Sequence, residues 1–177
     1  MIKRAVAVQV HADPSLPKAG SPVTFTLTLI NAGAGHKIPT GDPDRHFTVE
    51  FLVQTEQGKV LKQQINTMGR WILWQPVITE VYDNRLFPLA SRTYTFDYRV
   101  PDQPSGLSLK IRVQYHILTD GQHAMLQRKY GLTSNEAYRF TVYEREFPLS
   151  GTLTATGEDD PRLGCTADEK AKRTASS

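Results

Sequence analysis

Alternating apolar and polar positions dominate the chain as far as residue 149. Between Val23 and Leu29 every second side chain is apolar and threonines fill the positions between them, which is the period of a half-buried strand. Two short strands, 70–74 and 77–82, are predicted on either side of Pro76, because proline cannot donate to a central ladder. Comparable strand patterns occupy further segments, at 5–11, 47–54, 60–65, 93–100, 107–115 and 138–143.

Turn-forming residues separate these strands. Strands at this spacing predict an all-β fold, an antiparallel immunoglobulin-like β-sandwich with one short crossover helix. We predict the helix over 122–130, with Asp120 as its N-cap and Gly131 as its closing residue. Leu126 and Tyr130 are spaced i, i+4 and are expected to hold the helix against the sheet.

The domain organisation follows from length and from a change in composition. A chain of 177 residues suits one domain, which we place at 1–150. After Gly151 apolar residues become sparse while Thr, Gly, Asp and Glu increase, so 151–177 is predicted to be a flexible or partly helical tail.

Composition and charge argue against several classes of protein. Twenty-one Lys and Arg against eighteen Asp and Glu leave an interspersed net charge of +3, which does not favour nucleic acid as a partner. A single cysteine, Cys165, leaves no internal disulfide, no CxxC zinc knuckle and no CxxCH haem attachment. No apolar run predicts a membrane span, and Met1–His11 is too short and polar for a signal peptide. We therefore expect either a cytoplasmic protein or a piece of a longer exported one.

The chain carries no recognisable enzymatic motif. No G-x-S-x-G elbow is present, Cys165 has no evident histidine partner, and the acidic residues are scattered through turns and the tail. We expect a protein that is not an enzyme.

The loop at 31–45 is the most informative segment. It is long for a hairpin, and long ordered loops are disproportionately functional. It lacks the GxxxxGK[ST] pattern of a phosphate loop. The residues expected to shape it are Gly33, Gly35, Pro39, Thr40, Gly41, Asp42 and Arg45.

His36 is the loop's first candidate for chemistry. Its imidazole could ligate a metal or a haem iron, or it could bond the loop backbone and fix its shape. Asp42, Asp44 and Arg45 offer a similar choice between a calcium site and an Asx turn with a surface ion pair.

The remaining histidines and the tryptophans allow two further interpretations. His46 could join His36 and either His116 or His123 in a copper or zinc site, although no H-x-H or HExxH spacing supports it. Three aromatic residues could form a stacking platform for a sugar, or could be core or interface residues: Trp71, Trp74 and Tyr82.

The segment 31–41 resembles the N-x-GAGH-x-x-PTG loop in the non-haem, β-rich C-terminal region of bacterial multihaem c-type cytochromes. Asp83-Asn84-Arg85-Leu86, followed by Pro88, resembles a D-x-R-[IL]-x-P stretch of those proteins. Residues 109–118 and 143–146 resemble their late and closing strands. The resemblance covers roughly 20–149.

This resemblance implies a non-catalytic accessory or assembly module of an electron-transfer system, periplasmic or extracellular. Haem c would be held on a partner segment or subunit and not covalently by this chain. His36 would be a possible axial haem ligand in trans, and a homo-oligomer is compatible with this role. Two alternatives stay open: a stand-alone immunoglobulin-like module for adhesion or carbohydrate binding, and a small copper-binding β-sandwich.

Overall fold

Nine strands and one helix form the part of the chain that a computed structural model describes, namely residues 5–15, 17–131 and 138–150. Every strand pair among them is antiparallel. The elements are β1 (Val6–Asp13), β2 (Pro22–Asn31), β3 (His46–Thr55), β4 (Val60–Met68), β5 (Arg70–Leu73), β6 (Thr79–Asp83), β7 (Ser91–Arg99), β8 (Leu107–His116), α1 (Asp120–Tyr130) and β9 (Arg139–Pro148).

Two sheets pack face to face around one core, which confirms the predicted all-β sandwich. One sheet has the strand order β1-β2-β7 and the other β4-β3-β8-β9. The apolar positions of the alternating pattern point inward, and Phe51 of β3 stacks on Phe96 of β7 with ring centroids 5.4 Å apart. The fully buried large side chains include Phe25, Phe47, Phe51, Phe96, Leu27, Leu29, Leu109 and Ile111.

Strand β3 is buried on both faces. Its inward side chains lie in the core, and its outward residues Thr48, Glu50, Leu52 and Gln54 are also at most 9% exposed. The strand lies between β4 and β8, and the side chains of those neighbours flank its outward face.

The strands β5 and β6 form a separate hairpin. Asn84 holds its base: the Asn84 Oδ1 accepts from Gly69 N at 2.6 Å, and Nδ2 donates to Thr67 O at 3.1 Å. The Asn84 backbone N–H also donates to Gly69 O at 3.0 Å. Two of these bonds close the base of the hairpin at Gly69, and the third ties it to Thr67 at the end of β4.

The helix α1 begins differently from the prediction. Thr119 is the N-cap, and it forms a capping box with Gln122, so the assignment of Asp120 as N-cap is wrong. Asp120 is the first helical residue, and its carboxylate accepts from Arg139 and Tyr138. Gly131 closes the helix with φ 60°, as predicted.

The expected contact of the helix with the sheet is wrong for Tyr130, which is 60% exposed, and no residue of α1 is buried. The helix lies in the connection between β8 and β9, which are neighbours in one sheet, and most of its side chains face solvent. Within the described ranges no helix has the length and apolar character needed to cross a membrane. The predicted tail at 151–177, with Cys165, lies outside the described residues.

Candidate functional site

The buried amide of Asn31 shapes the start of the loop. Its Nδ2 donates to His36 O at 2.8 Å and to Leu86 O at 3.2 Å, and its Oδ1 accepts from Ala34 N at 3.1 Å. Asn31 is 0% exposed, so these bonds satisfy groups that would otherwise be buried without partners. One side chain thus folds the loop back on itself and ties it to a second segment.

That second segment, 83–90, runs beside the loop. Ile38 and Leu86 form a β-bridge with two backbone hydrogen bonds of 2.9 Å, and both side chains are buried. Lys37 Nζ reaches Asp83 Oδ2 at 2.8 Å. We call residues 31–41 and 83–90 together the clasp. Its two halves contain two of the four stretches singled out in the sequence, 31–41 and 83–88.

Asp83 is the electrostatic centre of the clasp. Arg85 donates to it through Nε at 2.9 Å and Nη2 at 2.8 Å, and the Arg85 backbone N–H adds a third bond at 3.0 Å. These bonds and the one from Lys37 hold the pKa of Asp83 well below its usual range, against the opposing effect of burial. A carboxylate with both oxygens engaged fixes the geometry of the two cations around it.

His36 projects from this rigid base and is exposed. Its Nδ1 lies 3.1 Å from Lys37 O, and a carbonyl oxygen can only accept, so the neutral ring carries its proton on Nδ1. The Nε2 lone pair is then left for another partner. Metal-ligating histidines typically donate their second ring N–H in this way, so this contact is compatible with ligation through Nε2.

The other loop residues differ in their contacts and exposure. Asp42 Oδ1 accepts from Asp44 N at 3.2 Å, which is an Asx turn. Gly41 has φ +90°, a backbone conformation that favours glycine; a Cβ there would lie 2.9 Å from Arg45 Nη1, at the end of a side chain that can move aside. Pro39 is buried beside the bridge, whereas Gly33, Gly35 and Thr40 are exposed.

A second cluster lies on the outer face of the four-stranded sheet. His46 and His116 are paired across β3 and β8, and their rings stack with centroids 4.4 Å apart. His116 Nε2 lies 3.0 Å from Thr48 Oγ1, which donates to Glu50 at 2.9 Å. Arg112 donates to the same carboxylate at 2.6 and 2.9 Å. Burial, with the nearby charges of His46 and Arg139, lowers the pKa of His116 to about 4.

This cluster borders a pocket of about 430 Å³ between β4 and the N-terminus of α1. The structure pairs His46 with His116, while His123 stacks on Tyr138 at 3.9 Å. Throughout the described residues, no group of three or more His, Cys, Asp or Glu side chains is placed to hold a metal ion.

The hairpin region carries a group of exposed apolar side chains that was not predicted from the sequence. Fifteen large hydrophobic side chains of the described residues are exposed, and nine of them lie between residues 71 and 89. The signal was present, since the stretch around Pro76 has apolar residues on both faces of its strands. We call these nine residues the hairpin surface: Trp71, Leu73, Trp74, Val77, Ile78, Val81, Tyr82, Phe87 and Leu89.

The hairpin surface adjoins the clasp. Lys37 Nζ lies 4.3 Å from the centroid of the Phe87 ring, and Arg70 Nη2 lies 3.4 Å from Gly41 O. Phe87 and Leu89 belong to both, and Asp83 of the clasp ends β6 and pairs with Lys37. The His36 loop and the apolar hairpin therefore lie beside each other.

Comparison with known proteins gives a structural likeness. No family model and no curated protein matches the sequence. A penta-heme cytochrome c552 from Thermochromatium tepidum matches with a TM-score of 0.61 at 16% identity, over 84% of this chain and 40% of that one. This likeness shows a shared fold, and the chain spans less than half of the cytochrome's length.

Two further solved structures match at lower TM-scores. A CARDB domain from Pyrococcus furiosus, in complex with di-metal ions, has a TM-score of 0.35 at 12% identity, over 78% of this chain and 84% of that one. A Bacteroides uniformis beta-glucuronidase has a TM-score of 0.31 at 7% identity, over 62% and 11%. Values this low carry no functional argument.

Proposed function

We propose that this chain is a non-catalytic accessory module of a multihaem c-type cytochrome electron-transfer system, located in the periplasm or outside the cell. The observation that carries the proposal is the clasp. Its two halves are 42 or more residues apart in sequence and both carry motifs that resemble such cytochromes, and they meet in one hydrogen-bonded unit. The fold shared with part of a penta-heme cytochrome supports the same role.

In this role the haem belongs to another segment or subunit. Attachment of haem c uses the two cysteines of a CxxCH motif, and this chain has one cysteine in total. The module would pack against the haem-bearing segment or subunit and shield its cofactor from water.

His36 is the residue proposed to reach the cofactor. Its Nδ1 bond to Lys37 O leaves the Nε2 lone pair directed away from that carbonyl, and Asn31 fixes the His36 backbone through its carbonyl oxygen. An exposed imidazole on so constrained a loop needs little reorganisation to bind a haem iron in trans. A haem bound there would supply the redox chemistry, while this chain would set one axial ligand.

The test uses the full chain, tagged and purified from its source organism together with whatever it binds. We expect covalent haem to co-purify with the wild-type chain. His36→Ala should change the spin state or reduction potential of one haem in the absorption and electron paramagnetic resonance spectra, whereas His123→Ala, a control histidine in α1, should not. Unchanged spectra for His36→Ala would reject the ligand role. Absence of covalent haem from the wild-type assembly would reject the proposal as a whole.

A stand-alone carbohydrate-binding module is the second candidate, favoured by the exposure of Trp71, Trp74 and Tyr82 at 53%, 57% and 46%. The rings of Trp71 and Tyr82 are tilted by 53° with centroids 6.3 Å apart, so they do not form a flat platform. A glycan array with the purified chain tests this function. Saturable binding that Trp71→Ala removes would favour it over the cytochrome role.

A further inference from the structure

We infer that the hairpin surface is the docking site for the haem-bearing polypeptide, an inference that rests on the proposed function. Nine of the fifteen exposed large hydrophobic side chains lie within nineteen residues, and concentrated apolar exposure marks interaction sites. Leu89 is 82% exposed, and Val77 and Ile78 are 67% and 68% exposed, so these three side chains lie mostly at the surface.

The hairpin is also mounted rigidly. A two-stranded hairpin is at best marginally stable alone, so its base needs support. Asn84 supplies three hydrogen bonds to the end of β4 and to Gly69, and Asp83 joins β6 to Lys37 and Arg85. A surface held in advance in one conformation loses less entropy on binding, which suits a docking element.

The chemistry of the surface points to a protein with an apolar contact area. Between Trp71 and Tyr82 there is one charged side chain, Glu80, which lies 4.0 Å from Arg70. Such a surface does not suit phosphates or a highly charged partner. Aromatic anchors in an uncharged patch are typical of the central part of protein interfaces.

The location of the hairpin surface beside the His36 loop is the reason for proposing the haem-bearing polypeptide as its partner. The base of the hairpin borders the loop of His36, because Asp83, the last residue of β6, pairs with Lys37, and Arg70, the first residue of β5, lies 3.4 Å from Gly41 O. A polypeptide that brings a haem to the Nε2 of His36 therefore also approaches the hairpin. The broad apolar porphyrin and the side chains around it are groups that such a surface would exclude from water.

The experiment places a photo-crosslinking amino acid in the full chain in its source organism. Trp74 and Ile78 are the test positions. Ile65 is the matched control, because it is 52% exposed but lies in β4, on the outer face of the four-stranded sheet. We expect cross-linked products from the two hairpin positions that retain haem in a denaturing gel and yield CxxCH peptides by mass spectrometry. Ile65 should give none.

Each other outcome overturns the inference in a distinct way. Haem-bearing products from Ile65 alone would agree with the proposed function but would place the docking site on the four-stranded sheet that contains β4. Products that contain a second copy of this chain, or a partner without haem, would assign the hairpin a different occupant. No haem-bearing product at any position, with no covalent haem in the wild-type assembly, would reject the proposed function as well.

A pair of substitutions checks the same point without cross-linking. Trp74→Ser with Ile78→Ser should weaken retention of the haem-bearing partner at least tenfold in a pull-down, while thermal unfolding of the chain stays unchanged. Ile65→Ser is the control and should retain the partner. Unchanged retention by the hairpin double variant contradicts the inference even where the wild-type chain binds the haem-bearing protein.

Discussion

Two regions rich in apolar residues differ in burial in this molecule: strand β3 is buried, whereas the β5–β6 hairpin is exposed. In β3 all eight residues from Phe47 to Gln54 are buried, including the polar ones. In the hairpin from Arg70 to Asp83 no residue is buried, although it contains two tryptophans and several aliphatic residues. An apolar segment is therefore not necessarily buried within its own chain. Whether it is buried depends on which other segments of the fold pack against it.

The cause of the difference is the number of neighbours. Strand β3 has β4 and β8 on its two edges and faces Phe96 of β7 across the core. In the hairpin, β5 and β6 pair with each other in a two-stranded sheet. The buried region contributes to the folding free energy, whereas the exposed one is available for association.

The largest expected effect separates the two regions directly. Phe51→Ala removes a side chain that is 0% exposed and stacked on Phe96, so the free energy of unfolding should fall by about 3–5 kcal/mol. Trp74→Ala in the hairpin should change it by less than about 0.5 kcal/mol. Urea titration of both variants measures the contrast. A loss above about 2 kcal/mol for Trp74→Ala would show that the hairpin is packed against this chain.

Acid should weaken the sandwich through His116. Its pKa is about 4 in the folded protein and near 6.5 in the unfolded chain, so the unfolded state binds more protons between these values. The stability is complete above pH 6.5 and is lost as the pH falls, by about 3 kcal/mol at pH 4. Urea titrations at several pH values measure the slope. His116→Gln should remove this component and His123→Gln should keep it. An unchanged slope in His116→Gln would contradict the assignment.

A smaller effect should appear where the hairpin joins the clasp. Asp83→Asn leaves Arg85 and Lys37 without their carboxylate, which should cost about 2 kcal/mol, since these side chains are only partly buried. Hydrogen exchange should rise in residues 31–41 and 70–83 but not in β3. Glu80→Gln is the control, because Glu80 lies 4.0 Å from Arg70 at the surface, and it should change little. Equal exchange in both variants would refute the role of Asp83.

The contribution of Asp83 also has a different pH dependence. Hydrogen bonds from Arg85 hold the pKa of Asp83 below its usual range, so its contribution is present above the ordinary pKa of an aspartate and is lost only in stronger acid. Between pH 6.5 and 4 the sandwich should therefore weaken while the clasp stays paired.

The smallest effect concerns α1, which has no buried residue and depends on local interactions. Thr119→Ala should lower the free energy of unfolding by about 1 kcal/mol, because it removes the N-cap hydroxyl that accepts from Gln122 N. Thr119→Ser keeps the hydroxyl and should lose far less, as measured by chemical denaturation. Equal losses in the two variants would argue against the cap.

Local patterns in the sequence predicted most of the strands. The alternation at Val23–Leu29 and Leu107–Tyr115 requires a half-buried strand wherever the segment lies, because side chains alternate between the faces of a sheet. Gly131 closes the helix for an equally local reason, the φ of 60° that it adopts. The N-cap was misassigned although the T-x-x-Q pattern of Thr119 and Gln122 was present in the sequence.

Local sequence patterns were thus sufficient to locate the strand segments, the constrained loop of His36 and the absence of a haem-attachment motif. Which segments meet became visible in the folded chain: Asn31 with Leu86, Lys37 with Asp83, and His46 with His116. The folded chain also shows that none of the described residues buries the apolar side chains of the hairpin. Alternation and turn chemistry act within a few neighbouring residues, whereas strand register and burial depend on partners dozens of residues away, which no local pattern specifies.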